Sequence, residues 1–369
     1  MRTYRVGIIG ATGMVGQRFA TLLENHPWFH VTALAASSAS AGKTYREAAG
    51  NRWAMATPMP EARADMVVMD ASDIDAIRPL VDFVFCAVNM KNDEILALEQ
   101  AYAKAEIPVI SNNKTHRGFD DVPMVVPELN ADHTSVIPTQ RRRLGTKRGF
   151  VAVKSNCSIQ SYVPALTPLK DVFGLQQVLA CTYQAISGAG KTFERWPEML
   201  DNVIPYIGGE EEKSEKEPLK IWGHVENGHI VNDASVSITT QCLRVPVSDG
   251  HMAAVFARFE KKPSIEEIKA LWAAYKGPEI EIPGQGLVPM SEALPSAPKQ
   301  FIYYFEEPDR PQTRLDRNIE NGMAVSCGRL REDTQYDIKF VCLSHNTLRG
   351  AAGGGVELAE LLAVQGYLD

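Results

Sequence analysis

The sequence predicts an α/β protein of two unequal domains: an N-terminal doubly wound parallel sheet over residues 1–153, completed by a C-terminal helix at 350–369, and a mixed α+β domain over 154–349. Three observations carry this. At 369 residues the chain is too long for one ordinary small core. Its first third alternates short apolar runs with segments of helical period, as in βαβ units. From Val178 onward the apolar runs lengthen and become β-rich, with helices between them.

Taken in order, residues 5–9, 31–35, 83–88 and 108–111 are the expected strands of the first domain. Between the first two, Val15, Phe19, Leu22 and Leu23 recur at helical spacing until Asn25-His26-Pro27 stops the run. Residues 92–104 repeat that pattern, whereas residues 45–61, rich in Ala, Pro and Met, show no clear period. A basic cluster, Arg141-Arg142-Arg143 with Lys147 and Arg148, reads as a solvated surface loop near the domain boundary. In the second domain the expected strands are 178–185, 234–245, 252–259, 301–305 and 336–343, and a capping box, Ser264 with Glu267, opens a helix at 265–275. Residues 351–368 read as a final helix whose neighbouring Gly350, Gly353, Gly354 and Gly355 allow close approach to another surface.

A formal net charge of -7 supplies no basic field for a phosphate backbone, which argues against nucleic-acid or anionic-membrane partners and leaves small molecules and other subunits. Six scattered cysteines form neither a C-x-x-C nor a His-paired spacing, so reduced thiols and no metal site are expected. Met1-Arg2-Thr3-Tyr4 leads directly into a strand without an apolar leader, and no run approaches the roughly 20 apolar residues of a membrane span. The expected compartment is the cytoplasm.

After the first strand, Gly10-Ala11-Thr12-Gly13-Met14-Val15-Gly16 opens a helix as a G-x-x-G-x-x-G variant of the Rossmann fingerprint. Its glycines permit a tight turn and close approach to a pyrophosphate, which the helix N-terminus attracts. The second strand ends in Ala35-Ala36-Ser37-Ser38 with no acid to bind a ribose 2′-hydroxyl; Ser37 and Ser38, with Lys43 nearby, favour NADP.

Ser155-Asn156-Cys157-Ser158 precedes an apolar stretch of helical spacing (Ile159, Tyr162, Val163, Leu166, Leu169), so the Cys157 sulfur is expected near a helix N-terminus that lowers its pKa. Gln184 follows a β-run and leads to Ser187-Gly188-Ala189-Gly190, a turn whose backbone can approach a ligand. Arg244 and His251 bracket Val245-Pro246-Val247-Ser248-Asp249-Gly250, read as a hairpin that returns both side chains to one place. Arginine grips a carboxylate through a forked pair of hydrogen bonds, and histidine moves protons near neutrality.

With these motifs in order, the chain resembles the aspartate-β-semialdehyde dehydrogenase family, in its archaeal and fungal-like branch. Glu210 with Lys213 at E-x-x-K spacing and Asn346-Thr347-Leu348-Arg349-Gly350-Ala351-Ala352-Gly353 extend the resemblance to nearly the whole length. It implies that Cys157 is the nucleophile, Gln184 orients the acyl group and His251 is the acid/base. By the same resemblance Arg244 binds the substrate α-carboxylate and Glu210 its amino group, while Arg117, Asn156 and Lys213 form the phosphate pocket. Gly10, Thr12, Gly13, Met14, Val15, Gly16, Ser37, Ser38, Ser187, Gly188 and Asn346 then face NADP. The implied activity is NADPH-dependent reduction of L-aspartyl-4-phosphate to aspartate semialdehyde and phosphate, toward lysine, threonine, methionine and isoleucine. The implied assembly is a homodimer or homotetramer built on the second, catalytic and dimerisation, domain. N-acetyl-γ-glutamyl-phosphate reductase carries an N-P-G-C-Y-like motif absent here. Malonyl-CoA reductase on the same scaffold needs neither Arg244 nor Glu210, and a non-catalytic NADP-binding protein needs an inert Cys157.

Overall fold

In the computed structural model, which describes residues 3–282 and 284–369, two six-stranded sheets organise the chain. The first contains β1 (Tyr4–Ile9), β2 (Phe29–Ala36), β3 (Val68–Asp70), β4 (Phe83–Cys86), β5 (Val109–Ser111) and β6 (Val151–Val153), all parallel, in the order β3-β2-β1-β4-β5-β6. The reversal of strand order between β1 and β4 opens a crevice at their carboxyl ends, where open α/β sheets bind ligands. Met1 and Arg2, part of the run expected to lead into β1, lie outside the described residues.

Strands β3 and β6, three residues each, are not among the expected strands, whereas β5, equally short, falls within the expected 108–111. Helix α1 (Met14–Leu22) and helix α2 (Asn92–Lys104) fall where the spacing predicts them.

The three glycines of the first turn separate by steric role. Gly10 has φ +91°, and a Cβ there would stand 2.5 Å from the Ala87 carbonyl oxygen. At Gly16 a Cβ would meet the Gly10 oxygen at 2.2 Å, whereas at Gly13 nothing within the protein comes closer than 3.5 Å. Gly10 and Gly16 therefore serve the turn and the helix packing, and Gly13 keeps space open on the crevice side. Gly16→Ala should lower stability by about 1–3 kcal/mol in chemical denaturation. Gly13→Ala should leave stability near native and weaken dinucleotide binding; equal destabilisation by both changes would sink this division of roles.

The second sheet contains β7 (Leu175–Gln184), β10 (Ser237–Arg244), β11 (His251–Phe259), β14 (Ile302–Phe305), β15 (Val325–Glu332) and β16 (Ile338–Ser344), in the order β10-β7-β11-β16-β15-β14. Two hairpins, β8 (His224–Glu226) with β9 (His229–Val231) and β12 (Glu279–Ile282) with β13 (Gly286–Pro289), stand apart from it. Residues 325–332 give no strand signal in sequence because Arg329, Arg331 and Glu332 interrupt the apolar run.

Helices α3 (Val163–Phe173) and α5 (Ile265–Ala274) cover one face of this sheet, and α5 opens with the predicted capping box. The opposite face carries Leu179, Cys181 and Tyr183 on β7, in register with Phe256, Ala254 and Met252 on β11, all partly or fully exposed. Between these helices in sequence lies α4 (Glu210–Ile221).

A π-helical turn, Leu348–Ala352, leads into the final helix α6 (Gly353–Val364), every residue of which is buried. Gly355 approaches Phe19 of α1, where a Cβ would meet Phe19 Cζ at 3.0 Å, so the glycines do permit the close approach expected of them.

The basic cluster is only in part a solvated loop: Arg142, Arg143 and Lys147 are exposed, and Lys147 and Arg148 lie in the loop that follows a helix. Arg141, Arg142 and Arg143 lie in the helix Ile137–Leu144; Arg141 donates to the carbonyls of Arg148 and Tyr367, Arg143 pairs with Asp121, and Arg148 donates to the carbonyls of Glu106 and Leu368. Arg141 and Arg148 thus satisfy the carbonyls of Tyr367 and Leu368, whereas Arg142 donates to Thr139 Oγ1.

Candidate active site

Cys157 sits in a turn tied on every side. The Asn156 side-chain oxygen accepts the Ser158 backbone N–H at 2.8 Å and its hydroxyl at 2.6 Å, and the Asn156 backbone N–H donates to Glu217 Oε2 at 2.5 Å. Gln160 Nε2 donates to Ser155 Oγ at 2.5 Å. Gly350 presses on the nucleophile turn, with a Cβ there 2.9 Å from Cys157 Cβ.

The expected helix N-terminus is not beside the sulfur. Residues 157–162 form turns and α3 begins at Val163, so its dipole acts several residues away. Nor is the thiol pKa lowered. Burial and the Glu210 carboxylate raise it, against the opposing charges of Lys154, Arg117 and Arg244. Desolvation outweighs the nearby cations because it penalises the thiolate directly.

Gln184, Arg244 and His251 arrive from the ends of three adjacent strands. Arg244, last in β10, stands opposite Gln184, last in β7, and His251 begins β11 on the other side of β7. The expected hairpin between Arg244 and His251 is absent, since β7 lies between their strands. Because β10 runs parallel to β7 and β11 antiparallel, the segment 245–250 crosses the end of β7 and brings both residues to it by another route.

His251 Nε2 lies 3.4 Å from Cys157 Sγ, and Nδ1 accepts the Ala185 backbone N–H at 3.1 Å. The neutral ring therefore carries its proton on Nε2, toward sulfur. Burial first, then Arg244, His345 and Lys154, hold the imidazole well below its ordinary pKa. Arg244 spends Nη1 on the Ala185 carbonyl at 2.7 Å. Gly188 explains why a glycine stands here: a Cβ would lie 2.8 Å from Arg244 Nη1 and 3.0 Å from His251 Nε2.

At the start of α4, Glu210 accepts from Asn156 Nδ2 at 3.1 Å and Gln184 Nε2 at 3.4 Å and pairs with Lys213. Burial pushes its carboxyl up, but the Lys213 charge and these hydrogen bonds prevail and hold it below the ordinary range. Arg117 Nη1 donates to Glu217 at 2.9 Å, and Arg117, Lys213, Lys114, Lys216 and Lys220 contribute to a cavity of about 630 Å³. Glu217 was not anticipated from sequence. Its only signal is helical: it lies one turn beyond Lys213 and two beyond Glu210, on the same face.

The crevice of the first sheet is a cavity of about 540 Å³ lined by Gly10, Thr12, Gly13, Ser37 and Ser38. Lys43 does not line it, being turned to the Ala39 carbonyl at 2.8 Å; the cation that does is Arg52, from the stretch without a readable period. Asp70, also on its wall, belongs to β3 and is capped by Ser72 at 2.7 Å. An unobstructed Gly13, hydroxyls at the end of β2 and Arg52 suit a dinucleotide bearing a 2′-phosphate.

Met14 and Ser187 line a neighbouring cavity, while Val15 packs into the core and Gly16 serves the turn. Asn346 ties two loops of the second domain together: Nδ2 donates to Ser187 Oγ at 2.8 Å and Oδ1 accepts the Gly250 backbone N–H at 2.8 Å.

A doubly wound sheet with a dinucleotide crevice, coupled to a second domain that presents a cysteine against a histidine, defines a nucleotide-dependent oxidoreductase of the semialdehyde dehydrogenase class. Residues 5–137 match the semialdehyde dehydrogenase NAD-binding domain, and residues 166–349 match the semialdehyde dehydrogenase dimerisation domain. Aspartate-semialdehyde dehydrogenase of Archaeoglobus fulgidus is 41% identical over 97% of this chain and 98% of its own; that of Schizosaccharomyces pombe is 42% identical over 100% of both. The crystal structure of aspartate semialdehyde dehydrogenase with NADP from Candida albicans superposes with a TM-score of 0.86 at 38% identity, covering 99% of each chain. The chain belongs to the aspartate-semialdehyde dehydrogenase family.

Proposed function

We propose that this protein interconverts L-aspartyl-4-phosphate and L-aspartate 4-semialdehyde with NADP(H), through an acyl-thioester on Cys157. The observation that carries the reading is the Cys157–His251 contact of 3.4 Å, at the strand ends that also carry Gln184 and Arg244. In the reductive direction the Cys157 thiolate attacks the β-carbonyl, the carbon–oxygen bond to phosphate breaks, and phosphate departs toward Arg117 and Lys213. Arg244 holds the α-carboxylate, Glu210 the α-amino group, and Gln184 the acyl oxygen. NADPH, held by the Gly10–Gly16 turn with Ser37 and Ser38, supplies the hydride for reduction. His251, neutral with its proton on Nε2, donates to the developing oxyanion and recovers that proton as the thiohemiacetal collapses and sulfur leaves. Splitting the reaction at a thioester replaces one difficult substitution-with-reduction by two easier steps.

The reading includes a division into a nucleotide domain over residues 1–153 with 350–369 and a catalytic domain over 154–349. The exposed face of β7 and β11, with Tyr183 and Met252 opposite one another, suits a second copy of the chain, and we assign it to a homodimer contact. A homotetramer would pair two such dimers. No helix among the described residues is long and apolar enough to cross a membrane. We place the enzyme in the cytoplasm, in the synthesis of lysine, threonine, methionine and isoleucine.

The test is an assay with aspartate semialdehyde, with and without inorganic phosphate, comparing NADP and NAD. Turnover should require phosphate and favour NADP by roughly tenfold or more, the worth of one charge-assisted hydrogen bond. Phosphate-independent turnover would overturn the acyl-phosphate assignment.

A further inference from the structure

We propose that Lys154 supplies a positive charge that favours the thiolate form of Cys157 against its burial, acting through the nucleophile and not on the substrate; the proposal rests on the reading of Cys157 as nucleophile. The lysine follows the last residue of β6 and is 2% exposed. Its Nζ donates to the Ser155 carbonyl at 2.5 Å, and among the described residues no carboxylate lies within 4.0 Å of it. Lys220, the other buried lysine nearby, gives all three donors to the carbonyls of Arg117, Phe119 and Val122 and has a plain structural role. A buried ammonium with one acceptor is costly unless an anion faces it.

The C-terminal segment places Lys154 beside that anion. A Cβ at Gly350 would touch Cys157 Cβ at 2.9 Å, and one at Gly354, four residues later, would touch Lys154 Cδ at 3.3 Å. The two side chains thus lie against the same helical segment, at positions four residues apart along it.

The surrounding charges single out Lys154. Of the groups that act on the Cys157 thiol, Glu210 raises it and Lys154, Arg117 and Arg244 lower it, while His251 is held neutral. Arg117 is already paired with Glu217, and the fork of Arg244 is assigned to the substrate carboxylate. Arg349, which also acts on Lys154, is committed to Glu128 and Glu357. Among the described residues Lys154 is therefore the cation claimed neither by a carboxylate within 4.0 Å nor by the substrate, with Glu217 acting on it from farther away. Burial first, then Arg117 and Arg349, bring its amine down to about 7, against the pull of Cys157 and Glu217.

The experiment is the pH profile of Cys157 alkylation by iodoacetamide, a neutral probe, in the full-length native protein, K154M and K154R, with the modified residue located by mass spectrometry. K154M should shift the inflection upward by about one unit and slow alkylation at neutral pH roughly tenfold. K154R, cationic throughout, should restore the native rate at neutral pH. An unchanged inflection in K154M, or an equal shift in K154M and K154R, would overturn the proposal by reducing Lys154 to packing. If circular dichroism shows K154M unfolded, K154Q supplies the same comparison. Alkylation that spares Cys157 in the native protein would instead defeat the nucleophile assignment, so the two failures are distinct.

Discussion

Cys157→Ala is expected to reduce turnover by about four to six orders of magnitude, as removal of a covalent nucleophile does, while NADPH binding stays near native. The two outcomes separate because Cys157 is held in its own turn by Asn156, Ser158 and Glu217, apart from the crevice lined by Gly10, Thr12, Gly13, Ser37 and Ser38. Steady-state kinetics and a fluorescence titration with NADPH check them. Turnover within tenfold of native would exclude the thioester route. The same site has a signed pH dependence: burial and Glu210 raise the thiol, so the thiolate fraction limits the rate on the acid side and activity should climb as pH rises through neutrality. A rate that is flat or falling over that interval would contradict a raised thiol.

Arg244→Lys should raise KM for aspartate semialdehyde and lower kcat, for a combined loss of about 10- to 100-fold in kcat/KM. That range corresponds to one charge-assisted hydrogen bond of about 1.5–3 kcal/mol. Arg244 is 5% exposed and anchors Nη1 on the Ala185 carbonyl at 2.7 Å, which orients the rest of the planar fork. A lysine ammonium can satisfy that carbonyl or a substrate carboxylate, but it cannot reproduce the bidentate geometry. It also leaves space beside Gly188, whose absent side chain makes room for the guanidinium. Misplacing the reacting carbonyl by about 1 Å can cost on the order of 100-fold, so the defect should reach kcat and not KM alone. Unchanged kinetics would remove Arg244 as the carboxylate ligand.

Much of the first domain was legible because parallel strands buried on both faces announce themselves as apolar runs, and a glycine turn before a helix has few other uses. The short strands β3 and β6 were not, and neither was β15, where Gly328 and the charges after it break the run. Lys43 looked suited to a 2′-phosphate because it is close in sequence to Ser38, yet its ammonium turns to Ala39 and Arg52 lines the cavity. Proximity along a loop does not determine which side of the loop faces a ligand.

The residue types of the site were present in the sequence by themselves: a cysteine in a polar turn, a glutamine, arginine and histidine at strand ends, and glycines where backbone must come close. Their mutual placement was decided by tertiary structure. Cys157 and His251 meet across 94 residues, and Arg244 reaches the same point from a strand on the opposite side of β7, by a crossover that local turn chemistry resembles but does not specify. The direction of the thiol shift was settled the same way. A helix dipole can be inferred from neighbouring residues, but desolvation and the charges of Glu210, Lys154 and Arg117 depend on which distant segments exclude water from the sulfur. Sequence specified the chemical groups; long-range packing set their distances and dielectric surroundings, on which their reactivity depends.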